Sequence, residues 1–236
     1  GLNQFIEKKQ FDKFNLLEDN FNKTIELKNI LSDKLLYYYE NEKPKFNELT
    51  LWIIRKWGRI SKGDDKTLLD LIDKFVESKG KTDLKRISSK SKVLGFMYPK
   101  EFIIYDSRIA FAMNLVLLLS YSSPSIQKYF PVPDTLNTKL KAFDLYSLIR
   151  SKTIRKTTKF PRREAEKRYF CSDETAYIEM NKLVIAINKK LWDNERKNEP
   201  FYTQMLLFTI ADTILLDEIT KEFDNILKEL KKTPKS

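Results

Sequence analysis

Apolar residues recur at three- and four-residue spacing along most of this chain. The series Phe21–Ile25–Leu27–Ile30–Leu31–Leu35, Leu51–Ile54–Trp57, Leu68–Leu71–Ile72–Phe75 and Ile109–Met113–Val116–Leu117 all follow the period of a helix with one buried face. Alternating β-branched runs are few, so helix is expected nearly throughout. Pro44 separates the N-terminal helical region from the one carrying Trp52 and Trp57, and Gly80, after Ser78 and Lys79, marks a helix end. From Ser122 to about Thr138 the prolines Pro124, Pro131 and Pro133 prevent regular helix. Beyond them the pattern predicts a helix over about 139–150, a basic connector, a helix over about 163–192, and a last helical region from Pro200 to about Lys231. The expected fold class is all-α. The expected organisation is an N-terminal helical region over 1–121 and a C-terminal one over 122–236, or one continuous helical body crossed by the proline loop.

Composition narrows the chemistry. The 236 residues include 44 Lys+Arg against 33 Asp+Glu, a net charge of +11. Such a balance favours a polyanionic partner, nucleic acid first and an anionic membrane surface second. With no histidine there is no Ser-His-Asp or Cys-His system and no imidazole metal site. Cys171 is the sole cysteine, which excludes an intrachain disulfide, a zinc knuckle and a four-cysteine cluster. The five glycines cannot spell GxGxxG, and Gly58–Gly63 is followed by Asp64-Asp65 where a phosphate loop needs Lys and Ser/Thr. The longest apolar stretch, Ile109–Leu119, contains Asn114 and is about half the ~20 residues of a spanning helix. No N-terminal leader pattern is visible, so a cytoplasmic protein without a membrane partner is expected. Chemistry is left to Lys, Asp, Glu, Tyr, Ser and Arg.

The stretch 80–110 is the most informative. Leu84 and Ile87 share one face of a short helix, Ser88-Ser89-Lys90-Ser91 reads as a polar turn, and Lys92 to Met97 opens a second helix that Pro99 stops. Ile103-Ile104-Tyr105 is extended and apolar. Asp106 then caps the long apolar helix from Ile109. On residue type alone, that aspartate is an ordinary helix cap and those lysines are solvated.

The order of these elements resembles the helix-hairpin-helix DNA glycosylases. That family carries L-x-x-L-P-G-x-G-x-K, an apolar helix, and V-D-T-H or V-D-V-H. Here Leu84-x-x-Ile87-Ser88-Ser89-Lys90-Ser91-Lys92 stands in the hairpin's place and Tyr105-Asp106-Ser107-Arg108 in that of the V-D-x-H. The resemblance is nearest to the 8-oxoguanine glycosylase branch, which reads S-K-x-L-H-F and then P-x-x-F-P-I-x-D-S-R. This chain has Ser91-Lys92-Val93-Leu94-Gly95-Phe96 and then Pro99-Lys100-Glu101-Phe102-Ile103-Ile104-Tyr105-Asp106-Ser107-Arg108. The match covers about 80–115, with weaker similarity back to Trp57-Gly58 and forward through the C-terminal helices. The hairpin departs from the family in having no glycine and in being one residue shorter, which leaves Lys90 a rival to Lys92.

The resemblance implies a helix-hairpin-helix glycosylase-like helical bundle that flips a modified or damaged base out of duplex DNA and excises it. Lys92 would be the nucleophile and Asp106 the group that stabilises the developing positive charge. With Lys92 out of place, Asp106 alone would support a monofunctional enzyme that activates water. Backbone N–H groups around Ser88, Ser89, Lys90 and Ser91 would hold a phosphate, with a monovalent cation at the hairpin and no other cofactor. Arg108 would offer a donor to phosphate where the family has histidine. Phe96, four residues after Lys92, would face the base, and Phe201, after Pro200, is a second pocket candidate.

From Arg150 to Arg168, nine basic residues stand against Glu164 and Glu166. Arg155, Lys156, Arg162 and Arg163 are therefore expected to extend the DNA track. Double-stranded DNA is the expected partner, no obligatory protein partner is evident, and a nucleoid-associated location follows. A helix-hairpin-helix protein that binds DNA without excising is the alternative, and a helical domain docking acidic proteins is a third class. The excised base, the oligomeric state, and a repair or a phage-defence role are left open by the sequence.

Overall fold

A computed structural model of the chain describes residues 1–120, 128–134, 137–142, 169–221 and 224. The described residues are helical, with one isolated parallel bridge between Tyr129 and Phe170. The helices are α1 (Lys8–Leu16), α2 (Asn20–Asn41), α3 (Lys43–Leu51), α4 (Asp65–Glu77), α5 (Ile87–Met97), α6 (Ser107–Ser120), α7 (Thr138–Ala142), α8 (Asp173–Leu191) and α9 (Phe201–Ile210). They form two compact units, Gly1–Tyr105 with Asp173–Met205, and Asp106–Ser172 with Leu206–Ser236. Each unit is discontinuous in sequence. The division at Tyr105 therefore differs from a consecutive split at 121, because the extended link before Asp106 belongs with the first helices.

In the first unit α2 packs on α3 and α5, and α4 packs on α5. Asp19 and Asp64 cap α2 and α4 by accepting from the N–H of Asn22 and Thr67, 2.7 and 2.8 Å away. Pro44 sits in the first turn of α3, where its missing N–H leaves no bond unmade. From Trp52 to Trp57 the helix widens into a π-turn, and the N–H of Gly58 closes it on the Ile53 carbonyl at 2.8 Å. The Arg55 guanidinium gathers the loop that follows, bonding the carbonyls of Ile60, Lys62 and Gly63 and the Asp65 carboxylate. α4 ends as expected at Lys79 and Gly80, both in the left-handed region.

Two readings from sequence are corrected here. Leu84 and Ile87 are joined by a turn closed by Ile87 N–H to Leu84 C=O at 3.0 Å, and no separate helix forms. Ser88 to Ser91 are not a turn but the first half of α5, which starts at Ile87 behind a left-handed Arg86. Serine favours turns because its hydroxyl competes for backbone groups. In α5 that competition is absorbed, since Ser91 Oγ donates to the Ile87 carbonyl one turn back at 2.7 Å.

The extended link Phe102–Tyr105 crosses the interior of this unit, so its peptide groups need partners. Asn181 and Gln204 accept from the N–H groups of Ile103 and Ile104 at 2.7 and 2.8 Å, Tyr177 donates to the Ile103 carbonyl at 3.0 Å, and Ser91 Oγ accepts from Tyr105 N–H at 2.9 Å. The link lies close against α5 at Gly95, where a Cβ would stand 3.4 Å from the backbone at Phe102 and Ile103, an ordinary van der Waals contact.

In the second unit, Asp106 caps α6 as expected, accepting from Ile109 N–H at 3.0 Å. Asn114, the polar break in the apolar stretch, is buried and clamps both backbone groups of Phe130 at 2.7 and 2.8 Å. The helix expected over 163–192 is interrupted after Tyr169, where Phe170 pairs with Tyr129 and Cys171 donates to the Tyr129 carbonyl at 2.8 Å, and it resumes as Asp173–Leu191, which belongs to the first unit. Cys171 is half-buried. The last helical region runs over 201–210 and again over 214–221, with turn residues between. No helix among the described residues is long and apolar enough to cross a membrane.

Candidate functional site

The two rival lysines occupy different settings on α5. Lys90 is buried at 1% exposure, its amine donating to Thr82 Oγ1 at 3.0 Å and to the Asp83 carbonyl at 2.8 Å. It also stands 4.8 Å from the centre of the Phe75 ring. Burial pushes its pKa down and Asp83 opposes that shift. Lys90 thus ties the 82–83 loop to α5. It is a well-partnered structural lysine.

Lys92, two residues on, is also buried, and its amine donates to the Ser88 carbonyl at 3.1 Å. Its stem runs past Gly58, where a Cβ would come within 2.9 Å of Lys92 Cδ and Cε. Gly58 is the residue at which the π-turn ends, so an irregular helix end makes the notch that receives the lysine. Phe96, one turn along α5, packs edge-on against Trp57 at 4.8 Å. Trp57 is half-exposed while Phe96 is fully buried.

Against the same Phe96 lies a residue that the sequence reading missed. The amine of Lys28, from α2, stands 5.8 Å from the Phe96 ring centre and 5.3 Å from that of Phe201, the first residue of α9. Lys28 is 1% exposed and its Nζ has no hydrogen-bond partner. Burial alone pushes its amine down to about 7. The two proposed pocket aromatics, from helices more than a hundred residues apart, are thus brought to one buried amine. A signal was present, because Lys28, Leu31 and Leu35 follow the 3-4 spacing of the α2 core stripe and put a charge at an apolar position.

The remaining candidates are placed as follows. The N–H groups of Ser89 and Lys90 both bond the Arg86 carbonyl, at 2.9 and 3.1 Å, so the amides expected to hold a phosphate serve the first turn of α5. Ser89 and Ser91 are buried, and Ser88 is half-buried. Arg108 pairs with Asp212 at 3.0 Å and lies over the Phe208 ring at 4.6 Å, and Asn137 also donates to Asp212 at 3.0 Å. Arg155, Lys156, Arg162 and Arg163 lie outside the described residues. Among the described residues no group of three or more Cys, Asp or Glu side chains could hold a metal ion. Comparison of the chain with protein-family models, with curated proteins and with solved structures finds no match.

Proposed function

We propose that the chain is a DNA glycosylase with lyase activity that excises a modified or damaged base from duplex DNA, built on a helix-hairpin-helix glycosylase-like bundle. The observation that carries this reading is the seating of Lys92. Its stem lies in the Gly58 notch, on the helix whose Phe96 one turn on packs against the half-exposed Trp57, so a buried lysine lies near an aromatic pair of the kind on which a flipped base stacks. The link that ends at Tyr105 is fixed on Ser91, the neighbour of Lys92, and Asp106 is the next residue in the chain.

In the proposed reaction Lys92 attacks C1′ of the sugar as a neutral amine. The bond from C1′ to the base breaks, and its electron pair leaves with the base, which takes up a proton. The attacking amine then gives up its proton, a transfer that the family resemblance assigns to the Asp106 carboxylate. As the sugar ring opens, C1′=N forms and O4′ takes up a proton, leaving a Schiff base. Loss of the 2′ proton then expels the 3′ phosphate, and water releases the lysine. A net charge of +11 and the Arg150–Arg168 run supply the attraction for duplex DNA. A nucleoid-associated location accords with that partner.

The test is borohydride trapping on duplexes carrying 8-oxoguanine or an abasic site, with Lys92→Gln and Lys90→Gln beside the wild type. A covalent complex lost only in Lys92→Gln is expected. Loss only in Lys90→Gln would move the nucleophile, and absence of any complex would remove the lyase step. Monofunctional excision, read as base release that depends on Asp106, and non-catalytic DNA binding would then remain.

A further inference from the structure

Lysine is rarely buried without a partner, because removing its charge from water is costly and an unmade hydrogen bond adds to that cost. Lys28 is buried and its amine has no hydrogen-bond partner, with the centres of the Phe96 and Phe201 rings 5.8 and 5.3 Å away. Its long stem would be replaced without loss of packing by leucine or methionine if fold stability were the only requirement. The two rings attract the amine, yet they offer no lone pair. The complementary ligand is therefore flat enough to lie among phenyl faces and carries an acceptor on its edge. Such a ligand is a nucleobase, and its edge decides which one. An oxo group accepts from the ammonium form, which such a contact favours, whereas an amino group meets that form hydrogen to hydrogen.

We infer that Lys28 reads the flipped base, donating to an oxo oxygen on its edge while Phe96 and Phe201 contact its faces, so that the site takes oxo-bearing bases in preference to amino-bearing ones. This rests on the glycosylase reading for the way the base arrives, and it adds a specificity residue outside the stretch that carries the family resemblance. Lys28 is separate from the nucleophile. It acts on the base and has no part in the sugar chemistry. Its amine is held down by burial with no charged group contributing, so a carbonyl at the site would be its first strong partner.

The experiment uses the full chain and four duplexes, carrying hypoxanthine, uracil, adenine or an abasic site at one position. Wild type is compared with Lys28→Met, which keeps the stem, and Lys28→Gln, which restores a neutral donor; circular dichroism verifies that both fold. The expected result is that Lys28→Met lowers affinity for the oxo-base duplexes by roughly 10- to 100-fold, the discrimination one well-made base contact gives. Its affinity for the adenine duplex and its trapping on the abasic duplex stay at wild-type levels. Lys28→Gln recovers part of the oxo preference. Equal affinity of wild type for hypoxanthine, uracil and adenine duplexes overturns the inference, as does an unchanged preference in Lys28→Met. Loss of abasic trapping in Lys28→Met also overturns it, because Lys28 would then act on the sugar. If wild type traps nothing, the lyase step fails. The binding arm still decides Lys28, since an oxo preference lost in Lys28→Met sustains base reading in a protein that does not cut.

Discussion

Lys90 and Lys28 are buried to the same degree in the same unit, and each amine faces an aromatic ring. They differ in what surrounds the nitrogen. Lys90 reaches out of the helix body to Thr82 and Asp83, and its three donors close a loop against α5. Lys28 has two rings and no acceptor. The first arrangement is what a fold requires of a buried cation. The second lowers stability, with the weak attraction of two rings as its return, so burial of a lysine is informative only once its partners are counted.

The comparison breaks most plainly in the sign of two methionine variants. Lowering the Lys28 amine from its usual 10.5 to about 7 withholds at most about 5 kcal/mol of folding free energy at neutral pH. Lys28→Met should therefore raise stability, read as a higher urea midpoint at unchanged slope. Lys90→Met should lower it, by roughly 2 kcal/mol, because the Asp83 carbonyl and the Thr82 hydroxyl lose their donor. Two changes of one kind at two buried lysines would then move in opposite directions.

A pH series separates the Lys28 effect from ordinary repacking. The folded amine has a lowered pKa, so between about 7 and 10.5 the unfolded chain binds the extra proton and stability rises with pH. From pH 7 to pH 9 the wild type should gain up to roughly 2 to 3 kcal/mol from this group, and Lys28→Met should lack that gain, keeping only the slope of other groups such as Lys90, whose burial also lowers it. The window stops short of the tyrosines, whose burial at Tyr177 and Tyr129 raises them and reverses the slope above pH 10. Parallel curves for the two proteins would mean that Lys28 keeps its charge, and with it a partner, in solution.

The same contrast explains how much of the molecule could be read in the chain. Helical spacing carries α2, α4 and α6, and the caps at Asp106 and Gly80 stand where residue chemistry puts them. Ser88–Ser91 reads as a solvated turn because its four residues are small or charged, while in the fold these residues open α5 and Ser91 pairs with the Ile87 carbonyl one turn back. Lys28 was passed over for the opposite reason. One charge within the stripe Leu27–Ile30–Leu31–Leu35 does not disturb the period, and nothing in the local sequence tells that Phe96 and Phe201 meet there. The discontinuous units have the same origin. The partners of the 102–105 link come from Asn181 and Gln204, separations that local pattern does not encode.

Gly58 sharpens the contrast from the side of Lys92. Its backbone is ordinary, with φ near −78°, so alanine there meets no conformational strain. The obstacle is space. A Cβ would stand 2.9 Å from the Ile54 carbonyl as well as from the Lys92 stem, and the flexible side chain yields more readily than the backbone. Gly58→Ala should cost roughly 1 kcal/mol in stability and reduce trapping at an abasic site far more than that loss of folding explains. The oxo preference proposed for Lys28 should survive in binding. A variant that loses both together would mean that the two lysines share one rigid seat.

The smallest effect on stability, and the sharpest division between fold and chemistry, is expected at Asp106. Its Oδ1 accepts from Ile109 N–H at 3.0 Å, which an asparagine oxygen does as well. Asp106→Asn should thus change stability by only a few tenths of a kcal/mol, while Asp106→Ala, without an acceptor, should lose about 1 kcal/mol. Turnover should follow the other order. If the proposed glycosylase reaction holds, both variants lack the carboxylate assigned to stabilising positive charge on the sugar, so both should release base at a small fraction of the wild-type rate, and the well-capped Asn variant should be no better than the Ala one. Base release that follows the cap, retained in Asn and lost in Ala, would mean that Asp106 contributes the end of a helix and that the charge is supplied by another residue.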